Sequence, residues 1–68
     1  MRIVIHLDIM LAKRKKRLKD LSQAIDVSET NLSMIKTGKI KGVRFSTLIK
    51  ICDYLDCQPG DIMEFVRD

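Results

Sequence analysis

Between Glu29 and Arg44 the chain concentrates side chains that can exchange hydrogen bonds or neutralise anions. Glu29, Thr30, Asn31 and Ser33 offer acceptors and donors, and Met34 offers a soft apolar tip. Lys36, Lys39, Lys41 and Arg44 follow as cations, interleaved with Thr37, Gly38 and Gly42. Hydroxyls and an amide of this kind can meet the polar edges of a flat ligand, and the cations suit the phosphates of a polyanion. The other reactive side chains do not assemble into a catalytic or metal set. The one histidine, His6, stands far from Cys52 and Cys57, which are five apart and lack the second pair that a structural zinc site needs. There is no Gly-rich phosphate loop and no pair of carboxylates in a plausible cleft, so enzyme readings fail on inventory. No cofactor or metal is expected. The cysteines are expected to be reduced, in the core or half-exposed.

These side chains need elements to carry them. Leu18, Leu21 and Ile25 form one apolar stripe of helical period, and Leu32 and Ile35 form the next, with Val27 between. Asp26 can enter the left-handed region that a sharp turn requires, and Ser28 can cap a new helix. Two helices joined by about three residues form a helix-turn-helix, whose second helix can enter a DNA major groove. The second helix is expected at about 18–25 and the third at 29–37, stopped by Gly38. With Leu32 and Ile35 inward, Glu29, Thr30, Ser33, Met34 and Lys36 face out, flanked by Asn31 and Thr37. Two of these have competing explanations. Glu29 can simply favour the positive end of the helix. Met34 is core if the helix is rotated; if exposed, it calls for an apolar cover such as a thymine methyl.

The flanking sequence supplies the remaining elements. Arg2–Leu7, RIVIHL, reads as a strand that pairs either with Glu64–Arg67 or with its copy in a second subunit. Asp8 is expected to cap a first helix reaching about Lys16, with Leu7, Met10 and Leu11 inward. The run Lys13-Arg14-Lys15-Lys16-Arg17 is either a solvated helix end or a source of a few phosphate contacts. Ser46 is expected to start a fourth helix with Leu48, Ile51, Cys52 and Leu55 inward. Asp61 is expected to cap a short fifth from Ile62 to about Phe65, placing Ile62 and Phe65 inward. The expected fold is therefore all-α, a five-helix bundle with a short N-terminal strand, forming one domain over residues 1–68.

Composition agrees with a small aliphatic bundle: 46% of the 68 residues are apolar, with no Trp, one Tyr and two Phe. Charge is polarised. Residues 1–50 carry twelve Lys or Arg against four acids, a balance of +8, whereas residues 51–68 balance at −4. A basic body with an acidic tail suits a polyanion partner on one face. The apolar run from Ile3 to Leu11 is interrupted by His6 and Asp8 and is too short to span a membrane, so a cytoplasmic chain is expected.

Leu21-Ser22, Val27-Ser28, Leu32-Ser33, Ile35 and Gly38-Lys39 resemble, in identity and spacing, the Xre family, the lambda-repressor-like or Cro-type helix-turn-helix. Phe45-Ser46-Thr47-Leu48, Ile51-Cys52, Leu55 and Cys57-Gln58-Pro59-Gly60-Asp61-Ile62 extend the resemblance over nearly the whole chain, toward a small branch with an N-terminal strand. Three positions depart from the family pattern: Asp26 replaces the usual turn glycine, Ser22 the usual alanine, and Arg17 the usual Ser or Thr cap of the second helix. The resemblance implies a sequence-specific DNA-binding transcriptional regulator, expected to be a repressor, binding an inverted-repeat operator as a homodimer. Its third helix would read bases through Glu29, Thr30, Asn31, Ser33 and Met34. Phosphates would be met by Arg17, Lys19, Ser28, Lys36, Thr37, Lys39, Lys41 and Arg44. The alternative is an antitoxin or other protein-interaction module of the same fold.

Overall fold

The computed structural model describes residues 1–40 and 42–68. In chain order it contains β1 (Arg2–Ile5), α1 (Leu7–Lys13), α2 (Leu18–Ile25), α3 (Glu29–Lys36), α4 (Phe45–Leu55), α5 (Pro59–Ile62) and β2 (Met63–Val66). The five helices agree with the expected bundle, but the all-α label needs correction. β1 and β2 pair antiparallel within the chain, Ile3 opposite Phe65 and Ile5 opposite Met63. The expected fifth helix through Phe65 is also overturned: α5 ends at Ile62, and Phe65 lies in β2 with half its surface exposed. In a run this short, helical and extended periods look alike, and the partner strand decides. The ribbon brings the chain ends together, with the Met1 amino group 2.7 Å from the Asp68 carboxylate and Arg2 paired to the same side chain.

The core is wholly aliphatic: Leu7, Met10, Leu11, Leu21, Ile25, Leu32, Ile35, Ile51, Leu55 and Ile62 are buried. Every helix contributes to it, and α2 packs against both α3 and α4. No described helix is long and apolar enough to cross a membrane.

Helix boundaries follow local hydrogen bonding, and three expected caps move. His6, not Asp8, occupies the N-cap of α1, and Asp8 sits in the first turn, where its charge still favours the helix end. That helix stops at Lys13, because Lys15 turns left-handed (φ 55°) and the Lys16 N–H closes back on the Leu11 carbonyl at 2.9 Å. Arg44, not Ser46, is the N-cap of α4, and Gln58, not Asp61, is the N-cap of α5. Asp61 acts from inside α5: its carboxylate accepts the Gln58 N–H at 2.9 Å, and Pro59 fills the first helical position, where no N–H is needed. Asp20 does the same for α2, accepting the Arg17 N–H at 2.9 Å, so α2 begins sharply at Leu18 without a Ser or Thr cap.

Much of the basic run is committed to the fold. The Arg14 guanidinium donates to the carbonyls of Leu55 (2.6 Å) and Asp56 (2.9 Å), tying the end of α1 to the open C-terminus of α4. Lys16 lies 5.7 Å from the centre of the Tyr54 ring. Arg17, the N-cap residue of α2, is exposed.

Candidate nucleic-acid interface

The site is built on the joint between α2 and α3. Asp26 adopts the left-handed conformation (φ 56°, ψ 47°) that the turn demands, and Asp tolerates it better than most residues. Ser22 then closes the turn from both sides. Its carbonyl accepts the Val27 N–H at 3.3 Å, and its hydroxyl donates to the Val27 carbonyl at 2.6 Å. The sequence shows only that Ser22 is small; its hydroxyl also stitches the last turn of α2 to the entry of α3.

At the start of α3 the Ser28 side chain accepts the Asn31 N–H at 3.1 Å, the expected cap. At its end Gly38 is left-handed (φ 74°). The Gly38 N–H reaches the Ile35 carbonyl at 3.1 Å and the Lys39 N–H reaches the Met34 carbonyl at 3.0 Å, the paired closure of a Schellman motif. This closure turns the chain abruptly into the basic loop, so Lys39 follows directly on the outer face of α3.

Leu32 and Ile35 fix the rotation of α3 by burying its inner side. Met34 is 39% exposed and lies outside the core, which rules out the rotated helix. Thr30, Ser33, Met34 and Thr37 recur at i, i+3, i+4 and i+7 and share one outward depression with Glu29, Lys39 and Leu18. Leu18 is flanked in sequence by the exposed cations Arg17 and Lys19, so the start of α2 borders the same surface. Asn31 and Ser28 fall on the opposite flank of α3, in a second depression with Arg44, Gly42 and Val43. The sequence-based set therefore divides: Thr30, Ser33 and Met34 form one group, and Asn31 reaches outward from another side. Thr37, expected at phosphate, lies with the first group, and its hydroxyl donates to the Ser33 carbonyl at 3.0 Å. Lys36 is only half-exposed and lines neither depression. Lys41 lies outside the described residues.

Among the described residues no group of three His, Cys, Asp or Glu side chains is placed to hold a metal ion, and both cysteines are free and half-exposed. What the surface offers is a short capped helix, small polar groups and one methionine on its open side, and cations at both ends of the run. This is the geometry of a helix-turn-helix, and the chain belongs to the Cro/C1-type HTH DNA-binding domain family, whose pattern matches residues 6–68. It is 50% identical over 68 residues to YozG of Bacillus subtilis (strain 168), an uncharacterized HTH-type transcriptional regulator, across all of this chain and 81% of that relative. The family is one of DNA-binding regulators rather than of enzymes.

Proposed function

We propose that this chain is a single-domain, cytoplasmic, sequence-specific transcriptional repressor that reads the DNA major groove with α3 and binds an inverted-repeat operator as a homodimer. The observation that carries this reading is Met34. It is 39% exposed on the open face of a polar helix, with Thr30 and Ser33 beside it, and the helix rotation is fixed by buried Leu32 and Ile35. An apolar side chain there gains cover from a thymine methyl, while the neighbouring hydroxyls bond to base edges. Glu29 and Asn31 reach bases on either side, Glu29 accepting from a cytosine amino group and Asn31 pairing with adenine.

Arg17, Lys19, Lys36, Lys39 and Arg44, with the hydroxyls of Ser28 and Thr37, meet the phosphate strands that border the groove; Lys41 joins them by sequence. These contacts set affinity and register rather than sequence choice. Two copies reading half-sites one DNA turn apart multiply a specificity that a single short helix cannot supply.

Selection of duplex sites from a random pool by the full chain tests the reading. An enriched inverted repeat is expected, and Met34→Ala should relax preference at a thymine position by about 1 kcal/mol per half-site. Lys39→Ala should instead weaken every sequence alike. Recovery of no enriched sequence at physiological salt would refute it.

A further inference from the structure

The two cysteines take no part in the α3 surface, since they line neither of its depressions. Both are free and half-exposed, and both open onto one groove of about 630 Å³ beside α4, with Gln58 and Pro59. On a continuous helix residues five apart would point about 140° from each other and sit about 7.5 Å apart along the axis. The end of α4 removes that separation. Asp56 turns left-handed (φ 50°, ψ 60°). The Cys57 N–H then reaches the Cys52 carbonyl at 3.0 Å, and the Asp56 N–H reaches the Asp53 carbonyl at 3.4 Å.

This is the paired closure of a Schellman motif, and Cys52 and Cys57 hold the two positions whose side chains meet across it. That contact is commonly between two apolar groups; here it is between two thiols. Arg14 fastens the same turn from outside, donating to the carbonyls of Leu55 at 2.6 Å and Asp56 at 2.9 Å. Burial, and then the neighbouring Cys52 thiol, hold the Cys57 thiol in its neutral form.

We infer that Cys52 and Cys57 are a redox-active dithiol, oxidised to an intrachain disulfide by small neutral disulfides that enter the groove beside α4. In the first step the Cys52 thiolate attacks one sulfur of the small disulfide. That S–S bond breaks, and half of the reagent leaves as a thiolate that takes up a proton. Cys57 then gives its proton to solvent, and its sulfur attacks that of Cys52, which expels the second half of the reagent. In sum two protein thiols lose two electrons and two protons, and one small disulfide becomes two thiols. Cys57 takes the second role because a thiol held neutral is the poorer first nucleophile. Asp53 in the groove and Asp61 near Cys57 favour a neutral reagent over an anionic one.

Equilibration of the full chain with oxidised and reduced 2-mercaptoethanol tests the proposal, in buffer and in concentrated urea, with acid quench, alkylation and mass spectrometry. The expected product is a monomer lighter by two hydrogens that takes up no alkyl label. The equilibrium constant for closing it should be roughly tenfold or more higher in the folded chain than in urea, because the fold already closes the ring of residues 52–57. Cys52→Ser and Cys57→Ser should each abolish this product and leave a mixed disulfide on the remaining cysteine. Both positions are half-exposed, so the variants should fold, which far-UV circular dichroism verifies. An equilibrium constant in the folded chain at or below that in urea overturns the proposal. Oxidation that stops at mixed disulfides, or that joins two chains, also overturns it. None of these outcomes depends on what α3 binds, which site selection judges separately.

Discussion

Removing the Ser22 hydroxyl should loosen the joint that aims α3. In Ser22→Ala the Val27 carbonyl loses its 2.6 Å donor, while the backbone bond from the Val27 N–H to the Ser22 carbonyl can persist. Both residues are half-buried, so water replaces the lost donor only in part. A lost hydrogen bond costs ~1 kcal/mol, and a carbonyl left underpaired adds up to ~1 kcal/mol more. Against this, alanine is the better helix former by about 0.5 kcal/mol. The net destabilisation is therefore about 1 kcal/mol, which in a domain of this size lowers the melting temperature by roughly 4–8 °C. Thermal unfolding followed by far-UV circular dichroism at fixed pH and salt measures it. A variant melting at or above the wild-type temperature would refute the reasoning and leave the turn to Asp26 and the backbone alone.

Two further substitutions probe other parts of the fold. Lys15 holds a left-handed conformation (φ 55°) with its side chain exposed. Lys15→Gly should stabilise the chain by about 0.5–1 kcal/mol, because the left-handed penalty outweighs the extra flexibility of glycine when unfolded. A melting temperature that fails to rise contradicts this. Burial, and then the neighbouring Cys52 thiol, push the Cys57 thiol up from 9.0 to about 11, with Asp61 adding to the shift and Arg14 opposing it. Because the folded value lies above the unfolded one, this stabilising contribution is complete below pH 9 and is lost as pH rises through about 11. Wild type should therefore lose more stability than Cys57→Ser across that interval, as parallel melts would show; equal losses would mean that the thiol is not held in its neutral form.

The sequence made the local features of the fold legible and hid those that depend on partners distant along the chain. Leu21, Ile25, Leu32 and Ile35 announce their burial by spacing, and Ser28 and Gly38 announce the ends of α3, because cap and helix lie within a turn of each other. Asp20 and Asp61 were harder to read. An acid three residues inside a helix can reach back to the N-cap N–H or simply favour the positive end, and the sequence does not separate the two.

Arg14 was beyond reach, since the carbonyls it binds lie 41 and 42 residues away and only the packed bundle brings them near. For β2 the sequence offered the right segment, Glu64–Arg67, as one of two possible partners for the first strand, while its helical spacing also suggested the end of a fifth helix. Met63–Val66 is extended because β1 lies beside it; nothing in the segment itself requires that state. At the candidate site, helical period placed Thr30, Ser33 and Met34 together correctly. It could not show that Asn31 faces the flank where Arg44 sits, because that neighbour arrives from the loop after α3.

The claim that the cations around α3 meet DNA phosphates is tested most directly by the salt dependence of binding to duplex DNA. If four to six of Arg17, Lys19, Lys36, Lys39, Lys41 and Arg44 neutralise phosphates, log K should fall against log salt with a slope of about −4 to −5. A slope near zero would contradict the account.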